Sequence, residues 1–296
     1  MQITSYVIAV VFDFDDTLTN DSTSALLKKH GYDPEKFWRK DHDALVKDGW
    51  DSTCAWLHLF LRFMDQGILP KLTSADLVEF GKTLPPYEGL NTFFDDLEEL
   101  VKAENTPTEL FRVEFYIISG GLQDVIEGFA FRNKFKAVWG SQLASDVPTG
   151  PLRYVKRALT FTEKTKYVFE INKGLPQAEA AKNPYLVNKQ VDEKDRRIPF
   201  ENMIYVGDGL SDIPCFSLIT HMSNGKGRCV GVFRPGEAPS ARRAWLELIV
   251  PRRVASAHAP FYNPDRELGS ILRLATAARC QSIKLEKGST TVSIKQ

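Results

Sequence analysis

Four short runs of apolar and β-branched residues, at 6–13, 113–119, 203–207 and 228–233, constrain this chain more than anything else in it. Each is continuous rather than alternating, and each ends in turn chemistry. A run without polar alternation has both faces buried, the habit of strands in a parallel sheet with helices on either side. Helical patterns lie between the runs, at 122–133 after the second and 164–172 before the third. Strands alternating with helices predict an α/β fold: a Rossmann-like, mostly parallel sheet flanked by helices, with ligands gathered beyond the carboxyl ends of the strands.

Residues 21–104 break the alternation. They hold helix-spaced aromatics and leucines, among them Trp38, Leu45, Trp56, Phe60, Phe63 and Leu97, with no convincing strand. This segment reads as a helical cap inserted after the first strand, leaving 1–20 and 105–296 as the core. A hairpin is predicted at 139–160 around Pro148, Gly150 and Pro151. The polar stretch 172–197 reads as a surface excursion, and the Ser-, Thr- and Lys-rich residues 284–296 receive no element.

At 296 residues and 43% hydrophobic content, the chain can bury a sizeable core. Basic and acidic residues balance at 38 each, so the overall charge points to no nucleic-acid or membrane partner. Cys54, Cys215, Cys229 and Cys280 form no C-x-x-C pair and read as reduced thiols. The apolar run at 6–12 is far shorter than the ~20 residues of a membrane span. It leads into acids rather than a cleavage site, so a cytoplasmic location is the expectation.

The first run ends in Asp13-Phe14-Asp15-Asp16-Thr17. Side chains alternate along extended backbone, so Asp13 and Asp15 project to one side and Phe14 to the other. Neighbouring carboxylates are costly unless a cation lies between them or one is protonated. Alone, the pattern equally describes an acidic turn. The third run ends in Gly207-Asp208-Gly209-Leu210-Ser211-Asp212, where glycines beside Asp208 permit a tight turn and Asp212 follows one helical turn on. Oxygen-only ligands suit a hard octahedral cation such as Mg²⁺, although an Asx turn with a helix cap has the same spelling. The second run ends in Ser119-Gly120-Gly121, either a phosphate cradle at a helix N-terminus or a plain strand-to-helix turn. In the helix near 163–172, Lys164 spaces with Val168 and Ile171, whereas Lys166 aligns with Glu170 and Lys173 on a polar face. Lys164 is therefore the candidate inward cation.

Together and in this order, the four motifs resemble those of the haloacid dehalogenase superfamily: the D-x-D-x-T strand end, the strand-ending serine, the lysine and the G-D-x-x-x-D strand end. The resemblance covers about 6–216. Ser119-Gly120-Gly121 and the 207–212 segment look most like the phosphoserine phosphatase branch, whose members also insert a helical cap after the first motif. One position departs from the pattern: Asp16 stands where a glycine often follows the second aspartate, adding a negative charge.

The resemblance implies a Mg²⁺-dependent phosphatase acting on a small phosphorylated metabolite. Asp13 would be the nucleophile and form an aspartyl-phosphate, with Asp15 as general acid and base. Asp13, the Asp15 backbone carbonyl and Asp208 would hold Mg²⁺, and Asp212 would orient the metal shell. Lys164 would neutralise the transferring oxygens, while Thr17, Ser119 and Gly120 would bind the phosphoryl group. The paired Asp13 and Asp15 favour a phosphatase or phosphomutase over the superfamily's dehalogenases and ATPases. The cap is expected to close as a lid, with Asp21, Ser22, Trp38, Arg39, Trp50 and Arg62 as candidate leaving-group contacts. The rival readings are phosphotransfer to a second hydroxyl and a catalytically silent phospho-ligand binding module.

Overall fold

Alternation along β1 (Thr4–Phe12) divides the interior of the molecule in two. Ile8, Val10 and Phe12 enter one buried cluster, and Val7, Ala9 and Val11 enter another on the opposite face. Both faces are covered, which is why the run carries no polar alternation. The computed structural model describes residues 3–293, with side chains up to residue 287. The remaining strands are β2 (Glu109–Leu122), β3 (Phe135–Ala144), β4 (Tyr154–Arg157), β5 (Met203–Gly207), β6 (Arg228–Val232) and β7 (Ser256–His258). They form a seven-stranded sheet in the order β4-β3-β2-β1-β5-β6-β7. All neighbours are parallel except β3 and β4. After building outward from β1 through β2 and β3, the chain crosses to the other side of β1 with β5. The order thus reverses between β1 and β5, and open α/β sheets bind their ligands beyond the strand ends at such a point.

Helices Glu163–Lys173 and Ile213–Met222 cover one face through Val168, Ile171, Phe216 and Ile219. Helices Leu90–Lys102 and Glu267–Ser293 cover the other. There Phe94 packs edge-on against Phe115 at 5.0 Å and Phe135 at 5.3 Å. Leu90–Lys102 therefore lies on the sheet, and the helical insertion meets itself earlier, near Pro86. Thr19 and Pro86 form an antiparallel bridge, Thr19 Oγ1 donates to the Pro85 carbonyl (2.8 Å), and Tyr87 N–H donates to the Leu18 carbonyl (2.9 Å).

The main helices of the insertion, Ser22–Lys29, Ser52–Asp65 and Ser74–Gly81, each start at a capping side chain: Asp21, Asp51 and Thr73. Their apolar residues, including Leu57, Leu59 and Phe60, share one cluster with Phe14 and Leu18. Thr53 Oγ1 donates to the Leu159 carbonyl (3.4 Å) and Leu152 N–H to the Leu72 carbonyl (2.9 Å), tying the insertion to the hairpin.

Several expectations shift. The helix predicted at 122–133 is only Gln123–Glu127, followed by a tight turn at Arg132–Lys134. At Gly128 the chain is pressed so close to the insertion that a Cβ would fall 2.0 Å from the Val78 carbonyl oxygen, and Phe129 and Phe131 then turn into the core. The hairpin forms as β3 and β4, with β3 starting earlier than its predicted limit. β7 is only three residues long and gave no pattern. The last helix buries Leu268, Leu272, Thr276 and Cys280 at every fourth position, a stripe broken up by the polar residues between them. It carries the Ser-, Thr- and Lys-rich stretch as far as Ser293, and 294–296 lie outside the described residues. All four cysteines are free. Among the described residues, no helix is long and apolar enough to cross a membrane.

Glu114 on β2 joins the excursion to the sheet. Its carboxylate accepts from Arg197 Nη1 (2.7 Å), Lys136 Nζ (2.6 Å) and the Tyr116 hydroxyl (2.5 Å). Burial pushes this carboxyl up, but the donors outweigh burial, Arg197 foremost, and hold it at about 2 against an ordinary 4.5. A folded value below the unfolded one means stabilisation that is complete above about pH 4.5 and lost as pH falls toward 2. Glu114→Gln is expected to cost about 1.5–3 kcal/mol at neutral pH. In urea melts the gap to wild type should close through that acid window; a gap that ignores pH contradicts the assignment.

Candidate active site

The ladder between β1 and β5 continues one residue past β1, because Asp13 N–H donates to the Val206 carbonyl (2.9 Å). That bond places Asp13 between the carboxyl ends of the two strands. Phe14 turns into the core, while Asp13 faces the opposite side, where the lysine-bearing helix packs. One carboxylate oxygen from each of Asp13, Asp208 and Asp212 lies within 4.8 Å of the others. Lys164, 1% exposed, places Nζ 2.7 Å from Asp212 Oδ1 and 3.2 Å from Asp13 Oδ1. Its hydrogen bonds go to Asp212 Oδ1 and to Ser211 Oγ (3.3 Å), leaving Asp13 Oδ1 buried without one. The inward choice of Lys164 over Lys166 thus follows the apolar face of its helix. Glu170, expected on the polar face, is instead 1% exposed, because the following excursion folds back over it.

Charge in this pocket is unbalanced. Burial pushes Lys164 down, but Asp13 and Asp212 hold its ammonium above the ordinary lysine range. Burial and the charges of Asp13 and Asp212 push Asp208 well up. Burial likewise raises Asp212 to about 6, against the pull of Lys164 and the Tyr205 hydroxyl (3.0 Å). Oxygen-only donors, mutual repulsion and the orphaned Asp13 Oδ1 fit a hard divalent cation of the Mg²⁺ type. The Asp15 carboxylate stands outside this cluster, with Oδ1 accepting the Ser22 N–H (2.8 Å). Burial first, then the negative charge of Asp21, pushes it well above the carboxylate range.

Thr17 is fully buried, and among the described residues its Oγ1 has no hydrogen-bond partner. Its carbonyl accepts from the Tyr262 hydroxyl (2.7 Å), which fixes the turn from below. The helix expected after Ser119-Gly120-Gly121 begins at Gln123, while the three residues themselves stay in β2, which runs on to Leu122 and slips in its pairing with β3 between Ile118 and Leu122, making a bulge. A Cβ on Gly121 would sit 2.5 Å from Asp15 Oδ2, so only glycine lets the bulge reach that carboxylate. Ser119 Oγ accepts the Gly121 N–H (3.0 Å), and the Gly120 carbonyl accepts from Ser141 Oγ (2.8 Å). Ser141 Oγ also accepts the Leu159 N–H (3.0 Å), making it a pin for the bulge that the sequence did not flag. Of the glycines around Asp208, only Gly207 is demanded by close approach: a Cβ there would meet Asp212 Oδ2 at 2.4 Å, whereas Gly209 faces open space.

The charge added by Asp16 is neutralised. Asp16 takes a left-handed backbone (φ 55°), and Arg234, from the loop after β6, places both Nε and Nη2 2.7 Å from its Oδ2. Arg234 Nη2 also lies 4.0 Å from Asp21 Oδ2. The sequence signal was an uncompensated Asp16 with an arginine just past another strand end. Of the cap candidates, Asp21 and Ser22 reach the site. Trp38 Nε1 donates to Ser24 Oγ (2.9 Å), Arg39 pairs with Glu35 in solvent (3.3 Å), Trp50 lies against His58 (4.7 Å) and Arg62 is exposed. No described contact joins these four to the carboxylates.

Arg234→Ala leaves Asp16 buried and unpaired and should cost about 1–3 kcal/mol. Adding Asp16→Gly, which suits the left-handed backbone, should restore most of that loss. Denaturation of the two single variants and the double variant measures the coupling, and losses that simply add contradict the pairing.

A family model described as haloacid dehalogenase-like hydrolase matches residues 10–217. An uncharacterized protein of Borreliella burgdorferi is 27% identical over 237 residues, covering 73% of this chain and 79% of that one. Among solved structures, a phospho-aspartyl intermediate analogue of phosphoserine phosphatase superposes with a TM-score of 0.52 at 15% identity, covering 91% of this chain and 99% of its own. A HAD family hydrolase of Salmonella enterica serovar Typhi gives 0.51 at 15%, covering 87% and 67%. A probable phosphoserine phosphatase of Vibrio cholerae gives 0.52 at 14%, covering 94% and 67%. At such identities the likeness to solved structures is one of fold.

Proposed function

The chain belongs to the haloacid dehalogenase-like hydrolases, and from that premise we propose that it is a Mg²⁺-dependent phosphatase hydrolysing a small phosphomonoester through an aspartyl-phosphate on Asp13. One observation carries the reading. Asp13 Oδ1 is buried beside Lys164 without a hydrogen bond, and Thr17 Oγ1 is likewise buried and unpartnered. An acceptor and a donor left unpaired in a buried site are costly unless a ligand meets them. The phosphoserine phosphatases that share the fold, one of them with an analogue of a phospho-aspartyl intermediate, support the same chemistry.

In the first step an Asp13 carboxylate oxygen attacks phosphorus, and the ester oxygen departs with a proton from Asp15. Ser22 N–H holds Asp15 in place, and Gly121 leaves room for it. In the second step Asp15 takes a proton from water, which attacks the phosphorus of the acyl-phosphate and releases Asp13. Lys164, Thr17 and the Ser119 bulge would stabilise charge on the equatorial oxygens through both steps. Asp13, the Asp15 backbone carbonyl and Asp208 would hold Mg²⁺, with Asp212 orienting the metal shell, and the cation would supply the charge that lets a carboxylate approach a phosphate dianion. The insertion would limit the substrate to a compact leaving group.

Release of phosphate from p-nitrophenyl phosphate is expected with Mg²⁺ and is expected to vanish with EDTA or in Asp13→Asn; activity surviving Asp13→Asn sinks the nucleophile. Asp15→Asn should lose roughly 10²–10⁴-fold in kcat/KM on an alkyl phosphate, because kcat/KM reads the step that forms the aspartyl-phosphate and not its later hydrolysis. It should lose much less on the aryl ester, whose leaving group needs no proton. Equal losses on both would remove Asp15 from the acid role.

A further inference from the structure

On the far side of the helix that carries Lys164 lies a second cavity of about 310 Å³, lined by Glu170, Lys156, Arg157, Lys166, Trp139 and Tyr167. None of these residues serves the chemistry above. Glu170 forms part of its wall and is 1% exposed, yet among the described residues its carboxylate makes no hydrogen bond or ion pair, and its Oε2 is fully enclosed. Burial holds this carboxyl above its ordinary range, with Lys166 and Arg157 pulling the other way. A buried carboxyl without a partner is costly, and structures keep such groups where something else satisfies them.

Among the described residues, no cation in the cavity forms an ion pair with Glu170. Lys166 Nζ pairs with Glu163 (3.3 Å) and sits 5.1 Å over the Tyr167 ring. Arg157 stacks over the same ring at 5.9 Å, and among the described residues neither it nor Lys156 makes a side-chain hydrogen bond or ion pair. Trp139 and Tyr167, both buried, stack at 5.2 Å and make the wall of the cavity aromatic. The excursion closes the cavity from one side, anchored by the Gln177 amide donating to the Val138 carbonyl.

A recessed carboxylate, an aromatic wall and two uncommitted cations nearer the rim match a molecule with an ammonium at one end and a carboxylate at the other. We propose that this cavity binds a free α-amino acid, its ammonium on Glu170 and its carboxylate on Arg157 and Lys156. The ammonium gains a charge-assisted contact with the recessed carboxylate. A guanidinium is suited to bidentate capture of a carboxylate. Lys164 and Glu170 share the Glu163–Lys173 helix, so occupancy of this cavity bears on the element that holds the nucleophile's cation.

The proposal goes beyond the phosphatase reading and is tested without a phosphorylated substrate. Titration calorimetry of the whole protein would use L-alanine, L-glutamate and L-lysine in turn, with propionate and ethylamine as half-ligands. At least one amino acid should bind wild type at least about tenfold more tightly than either half-ligand, since each charged contact is worth a factor of that order. Glu170→Gln and Arg157→Ala, each checked for folding by circular dichroism, should weaken binding at least about tenfold. The second variant removes a partly exposed side chain, so it keeps the test open if the first misfolds. Asp13→Asn should leave binding intact. Absence of binding in wild type, binding indifferent to the folded variants, or binding lost with Asp13→Asn overturns the proposal.

Discussion

The ammonium of Lys164 sits between Asp13 and Asp212 with almost no access to water, and the rest of the site is arranged around it. A buried cation is tolerated only when its partners are fixed, and here each partner is fixed by a different strand end. Asp13 is held by the β1–β5 ladder, and Asp212 by the Tyr205 hydroxyl and by a turn that needs Gly207. The lysine arrives on a helix whose Val168 and Ile171 are buried against the sheet face formed by Val7, Ala9 and Val11. Packing of one apolar face thus delivers the charge that makes clustered carboxylates compatible with a folded state.

The insertion is tied to the same centre. Its first helix supplies the Ser22 N–H that orients Asp15, and Asp21 at its start faces both Asp15 and Arg234. Outgoing and returning chains touch at Thr19 and Pro86, directly after the Asp13–Thr17 turn. Any displacement of the insertion would therefore be felt by Asp15 before Asp13, which is anchored in the sheet.

The sequence made legible what depends on local rules. Continuous apolar runs marked β1, β2, β5 and β6, alternation placed Phe14 opposite Asp13, and helical spacing turned Lys164 inward. Features decided by tertiary approach stayed hidden. Arg234 reaches Asp16 across 218 residues and Tyr262 reaches the Thr17 carbonyl across 245, so no spacing rule joins them. The strand-to-helix passage ahead of Gln123 was legible, but the bulge at Ser119 was not, because its geometry is set by contact with Asp15 rather than by its own glycines. Glu170 was assigned to a solvent face because helical periodicity cannot see a later segment folding over it.

In the mechanism proposed, Asp13 becomes covalently phosphorylated during turnover. Borohydride reduces an acyl-phosphate to the alcohol, so quenching a working enzyme with borohydride and mapping its peptides by mass spectrometry reads the modified position directly. Homoserine is expected at residue 13, dependent on substrate and Mg²⁺ and absent without either. A turning-over enzyme with an unmodified Asp13, or with the reduced residue at Asp15, Asp208 or Asp212 instead, would contradict it.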